Sequence, residues 1–91
     1  MDDLTAFERD LLYVIASFDK PSGQTVKSEV QEYYGGDVNA GRLYPNLDTL
    51  AEGGLVEKGQ LDRRTNYYAL TESGEDALRE RREWENQYVD L

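Results

Sequence analysis

Apolar residues recur every three to four positions through the opening stretch LTAFERDLLYVIASFD: Leu4, Phe7, Leu11, Ile15 and Phe18, with Leu12 and Val14 widening the stripe. This spacing predicts a helix with one buried face. Thr5 and Glu8 have the spacing of a capping box, in which the hydroxyl accepts a first-turn amide and the carboxylate reaches back. DKPSG reads as a turn, and a short strand is expected near Gln24 and Thr25. QTVKSEVQEYYGG then sets Val26, Val30 and either Tyr33 or Tyr34 on one face. Gly35-Gly36 is a natural helix stop, so this second helix is about three turns long. In DVNAGRLYPNLDTLAEGGLV, Asp37 or Asn39 caps a third helix. Its Leu43, Leu47 and Leu50 fall at i, i+4 and i+7, and Gly53-Gly54 ends it. Pro45 lies beyond the first turn, where proline forfeits a backbone hydrogen bond and crowds the carbonyl four residues back. That residue is Gly41, which adds no side chain to the crowding. A bent or loosened first turn is the expectation.

The pattern then shortens. LVEKGQL and NYYAL are two runs of β type, and DRRT between them makes a hairpin. Tyr67 and Tyr68 alternate along the second run, so one packs on the helices and the other stays outside. The last stretch, TESGEDALRERREWENQYVDL, is capped by Thr71 or Ser73. Ala77, Trp84 and Leu91 stand seven apart, with Tyr88 between the last two: a narrow seam on a charged helix of about five turns. The order helix, helix, helix, hairpin, helix is the layout of a winged helix-turn-helix, in which the third helix enters the major groove and the hairpin, or wing, follows the backbone or the minor groove. The fold class is α+β, mainly helical. Residues 1–70 are expected to form the winged helix-turn-helix domain and residues 71–91 a C-terminal dimerisation helix.

Composition narrows the chemistry. The 91 residues include neither cysteine nor histidine. Disulfides, thiol nucleophiles, histidine bases and the usual zinc sites are thereby removed, and neither metal nor cofactor is expected. Carboxylate pairs are plentiful but fall on helix surfaces rather than in a cleft, which points away from an enzyme. MDDLTAFERD lacks the basic end and apolar run of a signal peptide. The longest apolar stretch, LLYVIA, is too short for a bilayer, so a soluble, cytoplasmic protein is expected.

There are 19 acidic and 10 basic residues, only 3 of the latter lysine, for a net charge of −9. That balance opposes nucleic-acid binding, which depends on neutralising phosphates. The charge is uneven, however. Residues 1–37 hold 8 acids and 3 bases, residues 38–71 hold 4 of each, and residues 72–91 hold 7 acids and 3 bases. The middle third escapes the acidity of its flanks. A surface rich in Asp and Glu and poor in Lys suits a salt-saturated cytoplasm, where carboxylates hold water and cations; an ordinary acidic domain is the alternative.

Within the neutral third, the leucines of the third helix face the core. Arg42, Asn46 and Thr49 are left on other faces, with Asn39, Ala40 and Gly41 at its start. Arg and Asn make bidentate contacts to guanine and adenine edges, and a helix N-terminus attracts phosphate. Asp48 and Glu52 would repel phosphate, which confines contact to the N-terminal half. Tyr44 either packs or offers its hydroxyl to a phosphate. Arg63 and Arg64 are the sharper signal: adjacent like charges at an exposed tip repel unless an anion lies nearby, and arginine forks suit phosphate. A local ion pair with Asp62 is the bland alternative. The candidate DNA-contacting residues are therefore Asn39, Arg42, Tyr44, Asn46, Thr49, Arg63 and Arg64. Trp84 needs cover, from fold-back or from a twin in a dimer, and the dimer is favoured over a ligand pocket lined by Trp84 and Tyr88. Leu4, Ala77, Trp84, Tyr88 and Leu91 are the candidate interface. A rival is an acidic winged-helix interaction module or DNA mimic, but a mimic would be acidic throughout.

GRLYPNLDTLAEGGLVEKG followed by DRRTNYYALTESG resembles the PadR family of transcriptional regulators, most closely its members from halophilic archaea. The resemblance covers nearly the whole chain. It is carried by Leu43-Tyr44-Pro45 with Leu47, by Gly54-Leu55-Val56, and by the pattern from Arg64 through Tyr67-Tyr68 to Gly74. It implies a homodimeric regulator that sets the third helix in successive major grooves of a roughly palindromic duplex. The wing would reach the backbone or the minor groove, and the C-terminal helix would build the dimer. Acidic flanks would face away from DNA or meet it through bound cations such as K+. Larger members carry a long C-terminal domain, whereas one helix here leaves little wall for an effector pocket.

Overall fold

The computed structural model describes residues 3–90. Helix α1 (Ala6–Ala16) starts at the predicted capping box: Glu8 N–H donates to Thr5 Oγ1 at 3.1 Å, and Thr5 N–H donates to Glu8 Oε1 at 2.8 Å. Phe7, Leu11, Leu12 and Ile15 are buried. Phe18 is not part of this face. The helix ends at Ser17, so the periodic stripe outruns the element and Phe18 stands 39% exposed.

Gln24 and Thr25 are not in a strand but in the first turn of α2 (Gly23–Tyr34). The extended residue is Ser22, which forms an isolated antiparallel bridge with Tyr67. Ser22 also caps α2, its Oγ accepting the Thr25 N–H at 3.1 Å. Gly35 ends the helix at φ 74°, a left-handed conformation that favours glycine. Of the two neighbouring tyrosines, Tyr34 lies against Phe7, with ring centroids 6.0 Å apart, while remaining 39% exposed, and Tyr33 is 80% exposed.

Asn39, rather than Asp37, caps α3 (Ala40–Glu52). Leu43, Leu47 and Leu50 are wholly buried. The loosened first turn expected at Pro45 does not interrupt the element, which passes through the proline as continuous helix. Two side chains bond back across this turn: Asn46 Nδ2 donates to Arg42 O at 2.8 Å and Thr49 Oγ1 to Pro45 O at 3.0 Å.

The wing pairs β1 (Val56–Gln60) with β2 (Asn66–Leu70) antiparallel, in register from Val56↔Leu70 to Gln60↔Asn66. Tyr68 is its inward residue, 1% exposed, and Tyr67 lies outside. Tyr68 N–H donates to Pro21 O at 2.9 Å, so the wing is hydrogen-bonded to the segment that opens α2. Helix α4 (Glu72–Asn86) is capped by Thr71, whose Oγ1 accepts the Gly74 N–H at 3.1 Å; Ser73 lies inside the helix. Its contribution to the common core is Leu78, which the heptad reading passed over. At 15 residues it makes about four turns, not five. Tyr88 therefore lies beyond the helix and does not continue a helical seam from Trp84. Leu91 lies outside the described residues. No helix among them is long and apolar enough to cross a membrane.

Candidate nucleic-acid interface

Burying Leu43, Leu47 and Leu50 fixes what the rest of α3 presents. Arg42 and Tyr44 are two positions apart, about 200° around a helix, and so occupy opposite flanks. The Arg42 guanidinium stacks 3.9 Å from the Phe7 ring centroid, on the α1 side. Tyr44 lies on the wing side, and a Cβ added to Gly23 would come within 2.6 Å of its Cε1. The remaining candidates on this helix each make a local bond. Asn39 Oδ1 accepts the Gly41 N–H at 2.6 Å, while Asn46 and Thr49 donate to α3 carbonyls.

Arg63 and Arg64 are both exposed at the wing tip, the five-residue connection 61–65 closed by Leu61 N–H donating to Thr65 O at 2.8 Å. The Asp62 carboxylate does not answer their charge directly. Its Oδ1 accepts the Arg64 backbone N–H at 2.9 Å. That bond, with a further one from the Thr65 hydroxyl, holds the Asp62 carboxyl below its usual range. No carboxylate among the described residues lies within ion-pair distance of either guanidinium. Nearer the wing's base, Lys58 Nζ pairs with Asp48 Oδ1 at 2.8 Å, and this hydrogen bond raises the lysine pKa. The pair answers one of the two α3 charges that would repel phosphate.

Arg64 and Tyr44 line one groove of about 300 Å³, together with Gly23, Gln24, Thr65, Asn66 and Tyr68. Arg63 stands outside it on the tip, and Arg42 lies on the far flank. Gly23 and Gln24 escaped the sequence reading; Ser22, a cap residue just ahead of them, was the available signal.

The candidate interface residues fall on another face. Leu4 and Ala77 are half-buried, Leu4 against the core. Trp84 is 49% and Tyr88 69% exposed, with ring centroids 5.1 Å apart. Arg81 stacks 4.5 Å over the Trp84 ring and pairs with Glu85 at 3.3 Å. Beside them lies a shallow hollow that Tyr13 also lines, and the Tyr13 hydroxyl is buried without a hydrogen-bond partner. Burial raises its pKa, with the Glu85 carboxylate adding to the effect. Among the described residues there is no group of three or more carboxylates able to hold a metal ion.

Residues 11–80 match the profile of the transcriptional regulator PadR-like family. The chain is 34% identical over 68 residues to the transcriptional activator GvpE2 of Halobacterium salinarum, a match covering 72% of this chain and 35% of that protein. It is 29% identical over 66 residues to the transcriptional activator GvpE of Haloferax mediterranei, covering 72% and 34%. The aligned region thus spans about a third of the length of these relatives. Among solved structures, RosR of Halobacterium salinarum superposes with a TM-score of 0.90 at 50% identity, covering 98% of this chain and 81% of that one.

Proposed function

The chain belongs to the PadR-like family of transcriptional regulators, and we propose that it acts by binding duplex DNA as a homodimer. Residues 1–70 are the DNA-binding domain and residues 71–91 the dimerisation segment. In each protomer α3 enters a major groove, with Arg42 and Tyr44 on its two flanks and Asn39, Asn46 and Thr49 along its polar surface. Arg63 and Arg64 take backbone phosphates. Two-fold symmetry sets the half-sites of a pseudo-palindromic operator about one helical turn, roughly 34 Å, apart. Trp84 and Tyr88, with Leu4, Ala77 and Leu91, build the dimer contact. The acidic flanks hold K+ in a salt-rich cytoplasm, which suits the haloarchaeal relatives.

One observation carries this reading. In a chain of net charge −9, two adjacent arginines stand exposed at the wing tip with no carboxylate partner among the described residues. Two such cations gain nothing from burial, and an incoming phosphate is the partner their geometry suits.

The test is selection of binding sequences from a random duplex pool, followed by footprinting and affinity measurement in molar KCl. The Arg63→Ala/Arg64→Ala variant should lose about tenfold or more in affinity. Undiminished binding would remove the wing from the interface. Failure of the wild-type chain to bind any duplex would favour a protein-interaction module instead.

A further inference from the structure

We infer that Lys20, Tyr67 and Gly59 form a clamp on the outer face of the wing, and that Lys20 and Tyr67 are positioning residues for the phosphate contacts of Arg63 and Arg64. The inference rests on the DNA-binding reading and goes beyond it by naming what aims the wing tip.

A two-stranded hairpin is marginally stable by itself, so the direction of this wing is set by what holds it to the helices. Its inner face is held by burial of Val56 and Tyr68. Its edge is held by the Tyr68 N–H bond to Pro21 O and by the Ser22–Tyr67 bridge. Lys58 is tied to Asp48 of α3. Beyond these anchors the tip bonds to itself: Leu61 and Asp62 donate to Thr65 O, and Asp62 Oδ1 accepts from Arg64. Arg63 and Arg64 therefore stand on a lever whose last anchor on β2 is Tyr67.

Tyr67 pairs with Gly59 across the strands. A Cβ on residue 59 would collide with Cε2, Cζ and Oη of Tyr67. The ring thus lies across bare β1 backbone, a close approach that only glycine permits. Its hydroxyl donates at 3.2 Å to Oε1 of Glu57, two residues along the same face. Lys20 Nζ stands over the ring, 5.3 Å from the centroid, within the range where an aromatic face attracts a cation. One ring therefore joins β1, β2 and the turn that precedes α2.

The Lys20 backbone is an independent observation. At φ 52° it is the one non-glycine residue with positive φ among the described residues, and Pro21 after it narrows the choice of backbone further. Such strain persists only where the surroundings impose it. Here it delivers the lysine over Tyr67, near the tip end of β2. Glycine would relax this backbone and forfeit the cation.

The test measures duplex affinity for variants made in the wild type and in the Arg63→Ala/Arg64→Ala background, with unfolding curves showing that each is folded. Molar KCl screens the loss of the lysine charge itself. Tyr67→Val keeps a strand-forming residue and removes the ring. Lys20→Gly relaxes the backbone and removes the cation. Each should lose about fivefold in wild type, the scale of one cation–π contact, and under about twofold in the arginine-free background. Tyr67→Phe and Lys20→Arg keep the contact and should bind as the wild type does. Without DNA, amide relaxation across residues 61–65 should show wider motion in Tyr67→Val than in Tyr67→Phe. Equal losses in both backgrounds overturn the inference, because the residues would then touch DNA themselves. Unchanged affinity, or unchanged tip motion, in Tyr67→Val reduces the cluster to surface packing and overturns it too. Each of those results leaves the DNA-binding reading standing. A wild-type chain that binds no duplex overturns that reading and this inference with it.

Discussion

Tyr34 donates a hydrogen bond to Asp10 Oδ2 at 2.6 Å, linking the end of α2 to α1. Burial, and then this bond to a carboxylate, push its hydroxyl from 10.0 up to about 12. The folded protein therefore favours the neutral phenol more than the unfolded chain does. Its contribution to stability is whole below pH 10 and drains away as the pH rises toward about 12. Denaturant unfolding should show stability falling across that window, and Tyr34→Phe should flatten part of the fall. Burial also raises the Tyr13 and Tyr68 hydroxyls, so an ultraviolet titration should show one late-ionising phenol fewer in the variant than in wild type. An unchanged number of late phenols in Tyr34→Phe would transfer the effect to another tyrosine. The pair itself could not be read from the sequence. Spacing left Tyr33 and Tyr34 as equals, and the choice is made by Phe7 and Asp10, which lie far back along the chain.

At the scale of elements, what the sequence discloses is what local chemistry decides. Thr5 with Glu8, Asn39 and Thr71 start their helices because a cap acts on amides two or three residues away. Leu43, Leu47 and Leu50 name the buried face of α3 because helical spacing is a property of neighbours. Helix ends are less legible. The stripes through Phe18 and Tyr88 continue in the sequence past the helix caps at Ser17 and Gln87, where only closing turn bonds follow. Ser22's bridge to Tyr67 and the Arg42 stack on Phe7 depend on tertiary partners, which periodicity does not contain. Helix α4 shows the consequence. Its heptad pattern drew attention to Trp84, but the residue it gives to the core is Leu78, 8% exposed against 49% for Trp84. Leu78→Ala should cost the single chain roughly 2–4 kcal/mol. Trp84→Ala should cost it under about 1 kcal/mol, since half of that side chain already meets water. Sedimentation of the same variants separates the roles. Trp84→Ala should move a dimer toward monomer at concentrations where the wild type stays paired. A Trp84→Ala chain that dimerises unchanged would send the interface elsewhere.

For the molecule as a whole, the charge map sets how DNA affinity responds to salt, because two opposed effects add. Arginines that neutralise phosphates release counterions, and each such contact steepens the loss of affinity with salt by about 0.9 in the logarithmic slope. Carboxylates brought toward a duplex take up cations, which acts in the other direction. With 15 acids against 6 bases in the outer thirds and parity in the middle, uptake offsets release, and affinity should fall weakly or rise as KCl increases. That net slope cannot by itself identify who touches phosphate. The difference between two slopes can. Removing Arg63 and Arg64 from both wings of a dimer deletes four contacts and leaves the carboxylates in place. The double variant's slope should be more positive than the wild type's by about 3–4, even where the wild-type slope is near zero. Equal slopes would mean that the arginines meet no phosphate, whatever the variant's loss of affinity. A steep negative slope in wild type, with the difference intact, would keep the wings at the backbone and discard the bridging cations.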